Sequence, residues 1–110
     1  MTALVDRPCR PRKGGADRLD RTSTNDLLRQ IEGWHTNDDA TEINRNFDFK
    51  NYYETMAFVN ALAWIAHRDD HHPDIEVSYK TCRVRFTTHS VQGLSENDFI
   101  CAAKIGALVD

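Results

Sequence analysis

The spacing of the hydrophobic residues changes repeatedly along this chain, and these changes limit its fold more than any other feature. Between residues 42 and 49 apolar residues alternate with polar ones, which is the period of a half-buried strand. Between residues 50 and 68 they recur every three to four residues, which is the period of a helix, and they cover a wide surface. Alternation returns between residues 75 and 86, and a second helical pattern runs from residue 95 to residue 108. The chain is therefore predicted to interleave helices with strands.

Polar residues at the boundaries of these segments predict where the elements start and how the strands pair. The serine-to-acid spacing of a capping box occurs at Ser23 and again at Ser95, which favours a helix start at each serine. Short polar turns join residues 34–36 to the alternating strand that follows, and join two strands between residues 75 and 86. The predicted fold class is α+β: a four-stranded antiparallel sheet with helices on one face, in the order α-β-β-α-β-β-α.

The first 22 residues differ in composition from the rest. They contain two prolines, two glycines, six basic residues and three acidic residues, and few large apolar groups. Such a segment buries too little surface to offset the entropy of ordering it. We therefore predict that residues 1–22 form a disordered basic tail and that residues 23–110 form one domain. The net charge is −3 for the whole chain and +3 for the tail, which leaves −6 for the domain and disfavours direct nucleic-acid binding.

The spacing of the cysteines and the length of the apolar runs indicate the cellular compartment in which we expect the chain. The three cysteines, Cys9, Cys82 and Cys101, include no CxxC pair, and no apolar run approaches the roughly 20 residues needed to cross a bilayer. The first residues also lack the apolar stretch of a secretory signal. We expect a cytoplasmic protein in a reducing environment, without a membrane partner.

The titratable chemistry of the chain is concentrated in four histidines within 23 residues, His67, His71, His72 and His89. The pKa of imidazole is normally about 6.5, so histidines placed together can give and take protons at neutral pH. Pro73 disfavours a helical conformation at His72, which predicts that the long helix ends near His71 and that the two neighbouring rings diverge. We expect these ends of elements to meet at one pocket.

Each candidate residue also has a purely structural explanation. His71 and His72 can stabilise a helix C-terminus through its dipole, and Asp98 can serve only as the acid of a capping box. Trp34 either stacks on a flat heterocycle or fills the core. A metal site is the rival chemical hypothesis, although the spacing lacks the glutamate of the zinc-protease signature. Its ligands would be His67, His71, His89 and Asp98.

Separated stretches between residues 24 and 109 form a further pattern, which has no gap between Trp34 and Asp98. These stretches are Gly33-Trp34, Phe47-Asp48-Phe49-Lys50-Asn51-Tyr52, Asp70-His71-His72-Pro73-Asp74, Tyr79, Thr88-His89 and Gly93-Leu94-Ser95-Glu96-Asn97-Asp98. The pattern resembles that of the pterin-4a-carbinolamine dehydratases, also called 4a-hydroxytetrahydrobiopterin dehydratases. Agreement at several separated positions makes this resemblance more specific than the His-His-Pro motif alone.

The resemblance implies a dehydration reaction. Family members remove water from 4a-hydroxytetrahydrobiopterin, a pterin-4a-carbinolamine, to give quinonoid dihydropterin by histidine acid–base catalysis. The reaction recycles the tetrahydrobiopterin of aromatic amino-acid hydroxylases, and family members need no metal or bound cofactor. They also assemble into homodimers or homotetramers through their sheets and helices, which fits the wide apolar surface of residues 50–68.

The resemblance also implies roles for particular residues. The catalytic residues of the family correspond to His71, His72, His89 and Asp98, and its substrate-binding residues to Trp34, His72 and Pro73. We expect His71 and His89 to share the acid and base roles while His72 holds the pterin. His67 departs from the family, which often has glutamate at that position.

Two other functions stay open at this point. Vertebrate relatives also act as dimerisation cofactors of a homeodomain transcription factor, so the chain could be a non-catalytic binding module. Some relatives are linked to molybdenum cofactor metabolism. The retained histidines and Asp98 favour the enzyme, because a scaffold has no need of them.

Overall fold

The computed structural model describes residues 3–110 and consists of a four-stranded antiparallel sheet with helices packed on one face. The helices are α1 (Gly14–Asp17), α2 (Arg21–Leu28), α3 (Tyr52–Asp69) and α4 (Glu96–Gly106), and the strands are β1 (His35–Thr36), β2 (Ile43–Asp48), β3 (Asp74–Val77) and β4 (Thr81–Phe86). Short 3-10 turns occur at Leu4–Asp6 and His89–Val91. The strand order is β1-β2-β4-β3, and every neighbouring pair is antiparallel. The predicted α+β fold class is confirmed.

Strand β4 lies inside the sheet and follows the predicted alternation. Cys82, Val84 and Phe86 are completely buried under the helices. Arg83 and Arg85 alternate with them and are more exposed, as expected for side chains on the open face of the sheet. This pattern identifies which face of the sheet belongs to the core.

Arg45 interrupts the apolar face of β2, and its contacts explain how the sheet tolerates it. Its guanidinium donates to both carboxylate oxygens of Asp110, at 3.0 and 2.9 Å, and to the carbonyl oxygen of Glu32. The same group lies 4.4 Å from the ring centre of Phe47. The hydrogen bond to Arg45 lowers the pKa of the Asp110 carboxyl. Gly33 has a φ of +86° and no room for a Cβ, which would lie 2.9 Å from Arg45 Nε.

Helices α3 and α4 cover the core face of the sheet. Phe58 and Leu62 of α3 point into the core, while α4 buries most of its length, including Phe99 and Ile105. The outer side of α3 leaves large aromatic residues exposed, with Tyr53 81% and Trp64 61% accessible. Within residues 3–110, none of the helices combines the length and the apolar character needed to cross a bilayer.

The start of the first predicted helix differs from the sequence expectation. The carboxylate of Asp20, and not the Ser23 hydroxyl, caps α2 by accepting the backbone N–H of Ser23 at 2.8 Å. The helix runs from Arg21, two residues before Ser23, to Leu28. Asp20 lies three residues before Ser23, so its carboxylate can accept the backbone N–H of Ser23 just as an N-cap serine accepts the N–H three residues after it. The sequence pattern therefore fits either Asp20 or Ser23 as the N-cap residue.

Residues 3–22 pack against the domain in the structure, whereas their composition predicts a disordered tail. Leu4 is buried beside α4. The side-chain oxygen of Asn97 accepts the Arg10 N–H at 3.2 Å and the Arg12 Nε–H at 2.9 Å, and its amide donates to the Arg10 carbonyl at 2.7 Å. The composition of the segment gives no sign of Asn97 as a partner. Asn97 satisfies backbone hydrogen-bonding groups of the segment, so the segment packs without burying a large apolar surface. Residues 1 and 2 lie outside the described part of the chain.

We expect the Asn97→Ala substitution to release this segment. It removes an acceptor from the Arg10 N–H and from the Arg12 side chain and a donor from the Arg10 carbonyl, in buried or part-buried places, so exchange of the Arg10 amide should become faster. Hydrogen exchange followed by mass spectrometry measures this change. Asn46→Ala, on the open face of β2, serves as the matched control. Unchanged protection of the Arg10 amide would contradict the anchoring role of Asn97.

Candidate active site

Three of the four clustered histidines meet where α3 and β4 end. Helix α3 ends on Asp70, whose backbone is left-handed with a φ of +51°, and His71 and His72 follow it directly. His89 begins the 3-10 turn that comes after β4. The three side chains line one cavity of about 210 Å³. The predicted meeting of histidines from separate stretches therefore occurs in the structure.

His71 is fixed by a buried carboxylate. Its Nε2 atom lies 2.7 Å from Oδ1 of Asp98, and Asp98 is completely buried. The His71 ring also stacks on Phe86, with ring centres 5.7 Å apart and planes 9° apart. Because a carboxylate accepts hydrogen bonds, Nε2 carries the proton of this pair, and Nδ1 is the nitrogen left for a ligand.

Asp98 combines the two roles that the sequence left open. Its Oδ2 atom accepts the backbone N–H of Ser95 at 3.0 Å, which is the capping contact of α4. The same oxygen accepts the Thr88 hydroxyl at 2.8 Å, while Oδ1 faces His71. Three hydrogen bonds therefore hold the carboxylate in one orientation.

His72 and His89 differ from His71 because both are exposed at the mouth of the cavity. His72 and Pro73 also border an adjoining hollow of about 380 Å³, which His67 shares. The His67 ring lies beside Trp64, with ring centres 5.5 Å apart. The site thus presents one constrained imidazole and two solvent-facing ones.

The ligand set of the rival metal hypothesis does not form. Among residues 3–110, the three-residue group whose potential ligand atoms lie within 4.8 Å of one another is Cys9, Asp69 and Cys101. It contains none of the four residues proposed as ligands from the sequence. Asp98 instead uses its oxygens for His71, Thr88 and Ser95.

Trp34 is buried in the core and is not among the residues that line the histidine cavity, and its predicted contact with the substrate stays a prediction. Only 5% of Trp34 is accessible, and its ring centre lies 6.0 Å from those of Phe47 and Phe86. Phe86 in turn stacks on His71. Trp34 therefore supports the site through Phe86, because β1 begins just after it and the residue faces the interior.

We expect the Trp34→Phe substitution to change stability more than substrate affinity. The smaller ring leaves a gap against Phe47 and Phe86, so the free energy of unfolding should fall by about 1–3 kcal/mol. The KM for the substrate that the resemblance implies should stay within about twofold of the unmodified value. Chemical denaturation and steady-state kinetics measure the two quantities. A large rise in KM without a loss of stability would contradict this expectation and support the predicted contact of Trp34 with the substrate.

Comparison with known proteins agrees with this architecture. Residues 17–108 match the model of the family described as pterin 4 alpha carbinolamine dehydratase. The chain belongs to this family. A relative from Nitrosomonas eutropha, named as a candidate pterin-4-alpha-carbinolamine dehydratase, is 55% identical over 107 residues, which cover 96% of this chain and 93% of the relative. A relative of the same name from Stenotrophomonas maltophilia is 56% identical over 110 residues, covering 100% and 95%.

Solved structures show that the dehydratase family shares this fold. The structure of a transcriptional coactivator/pterin dehydratase from Brucella melitensis superimposes with a TM-score of 0.81 at 33% identity, and the match covers 84% of this chain and 99% of that one. A pterin dehydratase-like protein described as a RuBisCO assembly factor of the alpha-carboxysome gives a TM-score of 0.62 at 24% identity, covering 70% and 89%. The second likeness concerns the fold alone.

Thr88 is a residue of this dehydratase-family site to which the sequence assigned no role. Its hydroxyl lies 2.7 Å from the Ser95 hydroxyl and donates to Asp98, and Thr88 is buried. The backbone N–H and carbonyl of Thr88 also pair with Gly93 across the turn that contains His89. The one sequence feature that could have identified Thr88 is its position directly before His89. Thr88 links the position of His89 to that of Asp98.

Proposed function

We propose that this dehydratase-family chain removes water from 4a-hydroxytetrahydrobiopterin and releases quinonoid dihydropterin by histidine acid–base catalysis. The observation that supports this most strongly is the cavity shared by His71, His72 and His89, in which buried Asp98 holds His71. Imidazoles in one cavity can supply a proton donor and a proton acceptor at neutral pH. Membership of the family supports the same class of reaction.

The dehydration of a carbinolamine needs two proton movements. The bond between C4a and the hydroxyl oxygen breaks as an acid protonates the oxygen, which leaves as water. The neighbouring ring nitrogen loses its proton to a base, and a C=N double bond forms between that nitrogen and C4a. A site for this reaction therefore needs a donor near the hydroxyl and an acceptor near the nitrogen.

We assign the base to His71 and the acid to His89. Asp98 accepts a hydrogen bond from Nε2–H of His71, so Nδ1 of the neutral ring has a free lone pair for the proton of the pterin ring nitrogen. His89 lines the same cavity from another chain segment and is exposed at its mouth, where a leaving water molecule reaches solvent. His72, the third imidazole of the cavity, holds the pterin.

The function is tested by adding the purified chain to an aromatic amino-acid hydroxylase reaction. Absorbance follows the decay of the 4a-hydroxy intermediate, and the decay should become faster in proportion to the added chain. A variant with alanine at both His71 and His89 is the control and should lose this effect. Decay that the unmodified chain leaves unchanged would reject the enzyme and favour the binding-module alternative.

The proposal includes a cytoplasmic homodimer or homotetramer. Strand β3 forms one edge of the sheet and its four residues are exposed, including Ile75 and Val77. The aromatic residues Tyr53 and Trp64 are exposed on α3. Uncovered strand edges and apolar side chains of this kind are typical of subunit contacts. Sedimentation should give a mass at least twice that of one chain, and a monomer at micromolar concentration would contradict the assembly.

A further inference from the structure

Two cysteines that are distant in sequence lie side by side outside the histidine cavity. The sulfur atoms of Cys9 and Cys101 are 3.5 Å apart, although 92 positions separate the residues. We propose that Cys9 and Cys101 form a redox modification site, which closes to a reversible intramolecular disulfide by exchange with a low-molecular-weight disulfide such as oxidised glutathione. Disulfides of this reversible kind occur in reducing compartments, where permanent ones are rare.

The backbone around Cys9 is held beside α4, so the approach of the two sulfurs is part of the fold. The N–H of Cys9 donates to Oδ1 of Asp69 at 3.2 Å. Lys104 binds both oxygens of that carboxylate, at 3.0 and 2.8 Å, and links the end of α3 to α4. The Cys9 thiol also lies 3.7 Å from the carbonyl oxygen of Asn97, on the first turn of α4.

These contacts favour thiol chemistry over metal binding at the same place. Cys9, Cys101 and Asp69 offer three potential ligand atoms within 4.8 Å of one another. The ammonium of Lys104, however, already balances the charge of Asp69 where a metal ion would have to compete for it. Oxidation of the two thiols to a disulfide leaves the ion pair between Lys104 and Asp69 in place.

The two thiols differ in access, which sets the order of the reaction. Cys9 is half-buried and borders an open hollow of about 320 Å³ together with Arg10 and Arg12. Cys101 is completely buried in α4, and the hydrogen bond with Cys9, together with burial, raises the pKa of the Cys101 thiol. Because the thiolate is the attacking form, Cys9 reacts first with a disulfide from solution.

The exchange balances in two steps. Deprotonated Cys9 attacks one sulfur of the small disulfide, a bond forms between them, and the other half leaves and takes up a proton. Cys101 then loses its proton and attacks Sγ of Cys9, and the second half leaves as a thiol. Two protein thiols are oxidised, one small disulfide is reduced to two thiols, and two electrons are transferred. Attachment of the small thiol to Cys9 in the first step removes the Cys9–Cys101 hydrogen bond, which is one of the causes that raise the pKa of the Cys101 thiol.

The final bond requires a small movement. The sulfurs must approach from 3.5 Å to about 2.05 Å. Cys101 is fixed within α4, whereas Cys9 lies in residues 7–13, which form neither helix nor strand. The N-terminal segment therefore supplies the movement, and the disulfide ties it to α4.

The test treats the full-length native chain with oxidised glutathione, alkylates the remaining thiols and analyses intact mass and peptides. We expect a loss equal to two hydrogen atoms, a peptide linking Cys9 to Cys101, and reversal by dithiothreitol. In Cys101→Ser, glutathione should stay attached to Cys9, because the second attack is missing. Cys82→Ser is the matched control, since Cys82 is buried in β4, and it should form the link as the unmodified chain does.

Stability gives a second measurement. Because the bond would close a long loop, the oxidised chain should unfold at a temperature higher by on the order of 10 °C, and Cys82→Ser should show the same difference between oxidised and reduced forms. Persistent glutathione on Cys9 in the unmodified chain, a link between different chains, or three unreacted thiols would each overturn the proposal. None of these readouts depends on dehydratase activity.

Discussion

Replacing His89 with alanine should lower the rate of dehydration by a factor of about 10² to 10⁴, which is the usual contribution of a positioned acid or base. His89 is exposed at the mouth of the cavity. Its removal therefore leaves no buried polar group without a partner, and the chain should fold as before. The loss should fall mainly on kcat, because the proton is needed in the transition state and the proposed contact of His72 with the pterin is left in place.

The decay of the 4a-hydroxy intermediate measures this effect, and circular dichroism with thermal unfolding checks the fold. His35→Ala is the matched control, because His35 is an exposed histidine on β1, at the opposite edge of the sheet from β3. It should retain full activity. A His89→Ala variant within about twofold of the unmodified rate would reject His89 as the acid.

The Asp98→Asn substitution should lower the rate by roughly 10²-fold or more while the chain stays folded. Oδ2 of Asp98 accepts two hydrogen bonds, from Thr88 and from Ser95 N–H. The amide oxygen of asparagine is expected to take that place, which turns the amide N–H groups towards His71. Nε2 of His71 must then accept a hydrogen bond, its proton moves to Nδ1, and the lone pair that we propose takes the pterin proton is lost.

Stability and pH dependence separate this positioning role from a structural one. We expect the free energy of unfolding of Asp98→Asn to fall by about 1–3 kcal/mol, because a charged acceptor in a buried network is replaced by a neutral one. The pH profile of kcat/KM should also change on the limb that reports the base. Glu96→Gln removes another acid from the first turn of α4 and should leave both the rate and the profile intact. A normal pH profile in Asp98→Asn would mean that Asp98 only caps the helix.

The regular elements could be predicted because local patterns determine them. Alternation in β4 and the helical spacing of α3 reflect which side chains face the core, and that information is contained in neighbouring residues. Pro73 predicted the end of α3 correctly, since it restricts the residue before it. These rules failed at α2, where both Asp20 and Ser23 satisfied the same capping requirement.

Contacts between distant residues could not be predicted in the same way. The bond between His71 and Asp98 depends on how the end of α3 meets the start of α4, and no spacing rule covers 27 positions. The packing of residues 3–22 depends on Asn97, which reads as an ordinary polar residue near a helix start. The orientation of Trp34 depends on Phe47 and Phe86. Family resemblance supplied the roles of the histidines, Asp98 and Trp34, and these roles stay predictions that the variants test.

The most direct measurement is a titration of the isotopically labelled chain with an unreactive dihydropterin, followed by nuclear magnetic resonance of the histidine rings. The account predicts saturable shifts in the ring signals of His71, His72 and His89, with the signals of His35 unchanged. Saturable binding that leaves these three rings unaffected, or no binding at all, would contradict the claim that the histidine cavity is the pterin site.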